Sequence, residues 1–281
     1  MPSLQFKGVK TEKQGKKGKG HQDRLAILEL FRLENCALAA FAVMAGFKLV
    51  APLDWRAPTA GIAGALLTAG GNVINDFFDR RRDAINKPWR PVPSGRISLE
   101  LLVGSSAALF GLGMALGLLV NPYFLYLAFL FAVLLVIYSG LIKEIKIFGN
   151  VLVSVIVGCA FFVGATAAGN PLKGVELSIL AAIINWSREI LKDLEEKNAE
   201  RWTLSALIGT KGAVIFAYLL MALSVYNAIQ FSRRLPPFNS LFLYMAGAAW
   251  CYGIYKYKNP TIGQRVIKIG MALIILSLLL L

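Results

Sequence analysis

Residues 72–83 read Asn72-Val73-Ile74-Asn75-Asp76-Phe77-Phe78-Asp79-Arg80-Arg81-Arg82-Asp83. The run follows about twenty apolar and small residues, then abruptly carries three carboxylates. On a helix, Asn75, Asp79 and Asp83 recur at i, i+4 and i+8, which places three oxygen ligands along one face. Asp76 lies beside that row and Asn72 one turn before it. Arg80, Arg81 and Arg82 interrupt the acids and are expected to screen their repulsion. Carboxylates at the end of an apolar helix repel one another and are costly to desolvate. A hard divalent cation relieves both problems, and carboxylate and amide oxygens suit Mg²⁺, which commonly also holds substrate phosphates.

Composition sets the environment of this helix. The 281 residues are 57% hydrophobic and 16% charged, a balance expected of an integral membrane protein and not of a soluble domain. Cys36, Cys159 and Cys251 lie far apart in apolar stretches, so neither a disulfide framework nor a zinc pattern is indicated. The only histidine, His21, sits in a polar segment, which excludes His-based metal sites and triads. Residues 1–24 form a basic polar tail with seven Lys and Arg, read as solvated or resting on anionic lipid headgroups. Residues 25–281 form a single membrane domain. The net charge of +14 reflects membrane topology and not nucleic-acid binding.

Hydropathy predicts an all-α bundle of nine membrane-spanning helices, near 25–50, 58–80, 98–119, 122–142, 148–168, 173–192, 210–231, 238–256 and 262–281. Each is close to the ~20 residues that cross the hydrocarbon core. The prolines fall at the joints, as their helix-breaking chemistry requires. With the N-terminus in the cytosol, 24 of the 30 Lys and Arg fall on the cytosolic side and five on the other. That bias fits the positive-inside rule. Small residues such as Gly164 and Ala165 in the fifth span are expected to let helices approach closely.

A second acidic stretch ends the sixth span on the same side of the membrane. Glu189 and Asp193 are again i, i+4 on one helix face, with Arg188 and Lys192 as an adjoining basic pair. Two such faces can hold Mg²⁺ ions with a diphosphate between them. The loop 86–96 is stiffened by Pro88, Pro91 and Pro93 and offers Lys87, Arg90 and Arg96 to a phosphate. Lys143 and Lys146 follow Tyr138-Ser139 in the next loop, and the Tyr138 ring is a candidate to face a cation. Arg32, Asn35, Glu29 and Glu34 interrupt the first span and are expected to face a polar cavity open to the cytosol. This combination suits an allylic diphosphate, whose leaving group is stabilised by Mg²⁺, Lys and Arg.

These motifs resemble those of the UbiA superfamily of intramembrane prenyltransferases. The likeness rests on Asn75-Asp76-x-x-Asp79-x-x-x-Asp83, on the loop Asn86 to Arg96, on Tyr138-Ser139 with Lys143, and on Glu189 to Asp193. It implies that Asn75, Asp76, Asp79, Asp83, Glu189 and Asp193 hold Mg²⁺. It implies also that Lys87, Arg90 and Lys143 hold diphosphate, with Arg32, Asn35, Asn72, Lys146, Arg188 and Lys192 as further substrate-binding candidates. Asp79, Asp193, Tyr138 and Lys143 are the candidates for catalysis. The sequence departs from the family at Leu33, where a proline is usual, at Glu189, where Asp is common, and at Lys197, where a third acid is often found. The second motif looks most like the archaeal-lipid branch. That likeness implies a geranylgeranyl diphosphate donor, a geranylgeranylglyceryl phosphate acceptor and a place in the lipid bilayer of the cell membrane. Two alternatives remain open on the residues alone: prenylation of an aromatic acceptor, and carriage of lipids or isoprenoids without chemistry.

Overall fold

A computed structural model describes residues 29–195 and 203–281. The basic tail and Lys197 lie outside the described residues. Among those described, the chain is helical and contains no strand. The helices are α1 (Leu33–Lys48), α2 (Arg56–Asn86), α3 (Leu99–Val120), α4 (Pro122–Ile137), α5 (Lys146–Gly158), α6 (Ala160–Ala167), α7 (Leu172–Glu195), α8 (Leu204–Ser232), α9 (Pro237–Tyr255) and α10 (Pro260–Leu279). A π-turn, Tyr138–Ile142, extends α4. Six helical stretches are long and apolar enough to cross a membrane: 56–86, 99–120, 122–142, 146–167, 204–232 and 261–279. The most apolar, 122–142, has only 17% of its central window buried within the protein. Its apolar side chains therefore face outward, the arrangement lipid permits and water penalises.

Local chemistry sets the helix ends. Ser98 caps α3 through the Leu101 N–H at 3.2 Å, and Thr203 caps α8 through the Ala206 N–H at 3.1 Å. Asn121 accepts from the Phe124 N–H at 2.8 Å, and its amide also donates to the Thr166 and Ala167 carbonyls at 3.2 Å. One side chain thus caps α4 and ties it to the end of α6. Prolines open α4, α9 and α10, where a missing N–H is harmless.

Two differences from the sequence reading matter for the site. The first expected span, 25–50, is broken at Arg32, whose φ of 51° lies in the left-handed region. The second expected span continues past 80 to Asn86, because the acids and arginines of 79–83 neutralise each other and need no loop.

Two hydrophobic clusters flank a central wall formed by α1 and α6. One gathers residues of α7 to α10 around Leu180, Trp250 and Ile274. The other gathers residues of α2, α3 and α4 around Leu67, Phe110 and Phe124. The wall is thin because glycine lets the two backbones touch. A Cβ on Gly164 would strike the Val43 carbonyl oxygen, and one on Gly46 would strike that of Phe161. Gly111, by contrast, has open space around it.

Gly164→Leu is therefore expected to lower stability in detergent by about 3 kcal/mol through overpacking. Gly111→Ala should be neutral or raise it by up to about 1 kcal/mol. Thermal unfolding of the two variants beside the parent protein checks the contrast.

Candidate active site

Inside the bundle lies a cavity of about 500 Å³ with a sharp polarity gradient. Four of the helices that line it are polar at one end and apolar at the other, all in the same sense. On α2, Asn72 and Asn75 stand above Gly64 and Leu67; on α7, Arg188 and Glu189 stand above Leu177 and Leu180. Arg32 and Asn35 precede Ala42 and Val43 on α1, and Lys268 precedes Ile274 and Ile275 on α10. Alternating chain direction brings these charged ends together.

The acids of both motifs are buried. Asp76, Asp79 and Asp83 are 5–6% exposed, Glu189 4% and Asp193 7%. Each meets a cation. Asp76 pairs with Arg32, reached across the helix break. Asp79 lies 2.8 Å from Lys143 and 2.9 Å from Arg82. Asp83 is bonded to Arg90 at 2.7 Å. Glu189 takes Arg188 and Lys192, each at 2.8 Å, and Asp193 faces Lys146 at 3.8 Å. An unpaired carboxylate in this setting would be strongly unfavourable, so the cations are part of the structure and not decoration. Of the three consecutive arginines, Arg82 supplies the screening. Arg80 folds back onto the Phe77 carbonyl at 2.8 Å, and Arg81 is exposed.

The segment 138–150 links the two motifs. The π-turn closes with the Lys143 N–H on the Tyr138 carbonyl at 3.0 Å. The extra residue in that turn aims Lys143 at α2, where its ammonium also reaches the Asn75 side-chain oxygen at 3.2 Å. Asn75 in turn donates to Asp79 at 2.8 Å. Burial pushes the Lys143 ammonium below its usual range, and Asp79 pulls it part of the way back. Three residues further on, Lys146 turns to α7, and Asn150 donates to Asp193 at 2.6 Å.

The residues expected to form the site divide between the cavity lining and the layer behind it. Lys143 and Lys146 lie behind the lining, as do Asp76, Asp79, Asp83 and Asp193, and all six are buried. Lys87 is exposed at the end of α2, where its backbone N–H caps Asp83, and its side chain is likewise outside the lining. Arg32, Asn35, Asn72, Asn75, Arg90, Tyr138, Arg188, Glu189 and Lys192 do line it. Asn72 donates to the Phe31 carbonyl at 2.8 Å and so holds the break before Arg32. The sequence reading missed Asn150, Asn185 and Lys268 as site residues. Asn185 is buried and donates to Ser154 at 3.3 Å. Lys268 donates to Asn35 at 3.0 Å. The signal for Asn150 and Asn185 was an amide on an otherwise apolar helix face. Lys268 had no signal beyond the general excess of cations on that side.

Among the described residues, no three carboxylate, Cys or His side chains converge on one point. Mg²⁺ does not require that. It is usually held by one or two carboxylates, with water and substrate phosphate completing its shell. Asn75, Asp79, Glu189 and Asp193 supply the hard oxygens such an ion takes, each met here by a Lys, Arg or Asn side chain.

Comparison with known proteins agrees with this geometry. The pattern of the UbiA prenyltransferase family matches residues 36–278. Digeranylgeranylglyceryl phosphate synthase of Methanopyrus kandleri is 36% identical over 268 residues, covering 90% of this chain and 98% of the relative. The enzyme of the same name from Thermococcus kodakarensis is 34% identical over 209 residues, covering 71% and 75%. A solved structure concerning digeranylgeranylglyceryl phosphate synthase in membranes superposes with a TM-score of 0.71 at 28% identity, covering 92% of this chain and 98% of that one. A homologue from Archaeoglobus fulgidus, bound to DMAPP and Mg²⁺, shares the fold with a TM-score of 0.64 at 18% identity, covering 88% and 98%.

The buried pairs make a testable demand. Lys143→Met leaves Asp79 with Arg82 alone and is expected to cost about 3 kcal/mol of stability. Adding Asp79→Leu should recover part of that loss. A double-mutant cycle on thermal unfolding in detergent reads the coupling.

Proposed function

We propose, for a chain that belongs to the UbiA prenyltransferase family, that it transfers a geranylgeranyl group from geranylgeranyl diphosphate to the free hydroxyl of geranylgeranylglyceryl phosphate. The products are an ether lipid precursor and diphosphate. The observation that carries this reading is the cavity itself. Its polar end is lined by cations backed by two buried acidic motifs, and its apolar remainder suits isoprenoid chains. The names carried by the relatives support the choice of substrates.

The chain's own residues divide the work. Asn75, Asp76, Asp79 and Asp83 on α2, with Glu189 and Asp193 on α7, would hold Mg²⁺ at the polar end. When bound there, Mg²⁺ draws charge from the diphosphate leaving group. Arg90 and Arg32 face the same space and meet the diphosphate oxygens through charge-assisted bonds. Ionisation breaks the bond between the first carbon of the donor and the diphosphate oxygen. The apolar walls exclude water from the allylic cation that results, and the Tyr138 ring borders the cavity where that charge develops. The acceptor hydroxyl then forms the ether bond to that carbon and gives up its proton to the released diphosphate. Beyond Tyr138 and Ser139, which line the cavity, the segment 138–150 meets both acidic motifs through Lys143, Lys146 and Asn150. It keeps both acidic motifs in register.

The topology follows the same logic. In this reading α5 and α6 count as one traverse broken at Cys159, and nine helical segments cross the membrane. The charged ends face the cytosol, with the N-terminus on that side. The distribution of Lys and Arg supports this orientation.

Asp79→Asn and Asp193→Asn should each reduce diphosphate release and ether product at least a hundred-fold, with the protein still monodisperse in detergent. Parental turnover in either variant would sink the assignment. The purified protein should also give, by mass spectrometry, a product of geranylgeranyl diphosphate and geranylgeranylglyceryl phosphate in the absence of any gradient, which a carrier cannot do. Prenylation of 4-hydroxybenzoate without the glycerol phosphate product would favour the aromatic-acceptor alternative.

A further inference from the structure

The proposed reaction brings two phosphorylated lipids into one cavity, and the inference here rests on that reading. The diphosphate belongs to the acidic motifs. The acceptor's phosphate needs cations of its own, at the head of a separate apolar channel.

Five cationic side chains line the cavity: Arg32, Arg90, Arg188, Lys192 and Lys268. Arg32 is held by Asp76 and Arg90 by Asp83, both on the donor side. Lys192 is taken up by Glu189 and is the most exposed of the α7 pair. Lys268 differs from these. Its good partner is a neutral amide oxygen, that of Asn35 at 3.0 Å. Among the described residues its one carboxylate contact is Glu34 at 3.4 Å, and the Glu34 side chain is 86% exposed. Arg188 also has capacity to spare. One of its terminal nitrogens binds Glu189, while its Nε is buried with no hydrogen-bond partner among the described residues. A buried donor left unsatisfied is costly until something accepts from it.

Both residues head the same column of apolar side chains. On α10, Lys268 is followed at helical spacing by Met271 and Ile275. On α7, Arg188 stands over Ile184, Ala181 and Leu177. The column descends to Trp250 of α9, which is 1% exposed and packs against Gly270. The donor side has its own apolar lining on the far side of α1, with Leu67, Phe131 and Leu135.

We propose that Lys268 and Arg188 form the acceptor subsite. They bind the phosphate monoester of the acceptor while its isoprenoid chain runs between α7 and α10 toward Trp250. Glu34 stands at the mouth and competes with that phosphate for Lys268.

Steady-state kinetics in detergent with both substrates varied tests the assignment. Lys268→Gln is expected to raise the acceptor KM about ten- to a hundred-fold, the loss of one charge-assisted hydrogen bond, while the donor KM stays within two-fold. Lys268→Arg should restore the acceptor KM, and Glu34→Gln should lower it. Geranylgeranylglycerol, which lacks the phosphate, should be used equally poorly by the parent and by Lys268→Gln. Thermal midpoints in detergent separate these effects from misfolding. An unchanged acceptor KM in folded Lys268→Gln, or an equal rise in both KM values, overturns the subsite. Absence of ether product from the parent protein overturns the underlying function instead, and the two failures cannot be confused.

Discussion

Five carboxylates are buried at one end of this bundle, and the rest of the structure answers to that fact. Removing an ionised acid from water is affordable only with a close counter-charge and satisfied lone pairs. Here the counter-charges come from five different places: the break before α1, the end of α2, the loop after it, the segment 138–150, and α7 itself. The segment 138–150 is the pivotal one. Lys143 reaches the first motif and Lys146 the second from a single short stretch, so the motifs on α2 and α7 are held in register through one connection. The π-turn is the device that makes this possible, since an ordinary helical turn would rotate Lys143 away from α2.

The same arrangement fixes what the cavity can accept. A site with charge at one end and only apolar walls beyond it selects amphiphiles with an anionic head. Small ligands without a tail leave the lower chamber unfilled, and uncharged lipids leave the cations unsatisfied. The carboxylates behind the polar end are buried, which strengthens each ionic contact they make. The outward-facing surface is apolar along most helices, as contact with lipid permits.

The thin wall of α1 and α6 adds a further constraint. Gly46 and Gly164 bring two backbones into contact in the middle of the molecule. Without that approach, α1 would stand away from α6 and the chamber would open sideways. Close helix contact in lipid relies on small residues because no hydrophobic drive pulls the helices together.

Much of this was legible from the amino-acid order. Apolar runs, joint prolines and small residues define membrane helices because backbone polar groups in lipid must bond within their own helix. The i, i+4 spacing of Asn75, Asp79 and Asp83, and of Glu189 and Asp193, puts acids on single helix faces by geometry alone. Those are local properties, and local periodicity determines them. Which cation meets which acid is not local. Arg32 reaches Asp76 across 44 positions, Lys143 reaches Asn75 across 68, and Lys268 reaches Asn35 across 233. The sequence offered Lys143, Lys146 and Lys87 as substrate ligands on the strength of their neighbours in the chain. Packing turned the first two inward as counter-ions and left the third at the surface, because a buried carboxylate takes the nearest ammonium whatever its place in the chain. Lys268 owes its place in the cavity to packing too, beside the Asn35 amide oxygen and not a buried acid. The sequence by itself determined the helices and the faces that carry the acids; the tertiary structure decided which charges neutralise those acids and which remain to meet a substrate, since Coulomb's law acts through space and not along the backbone.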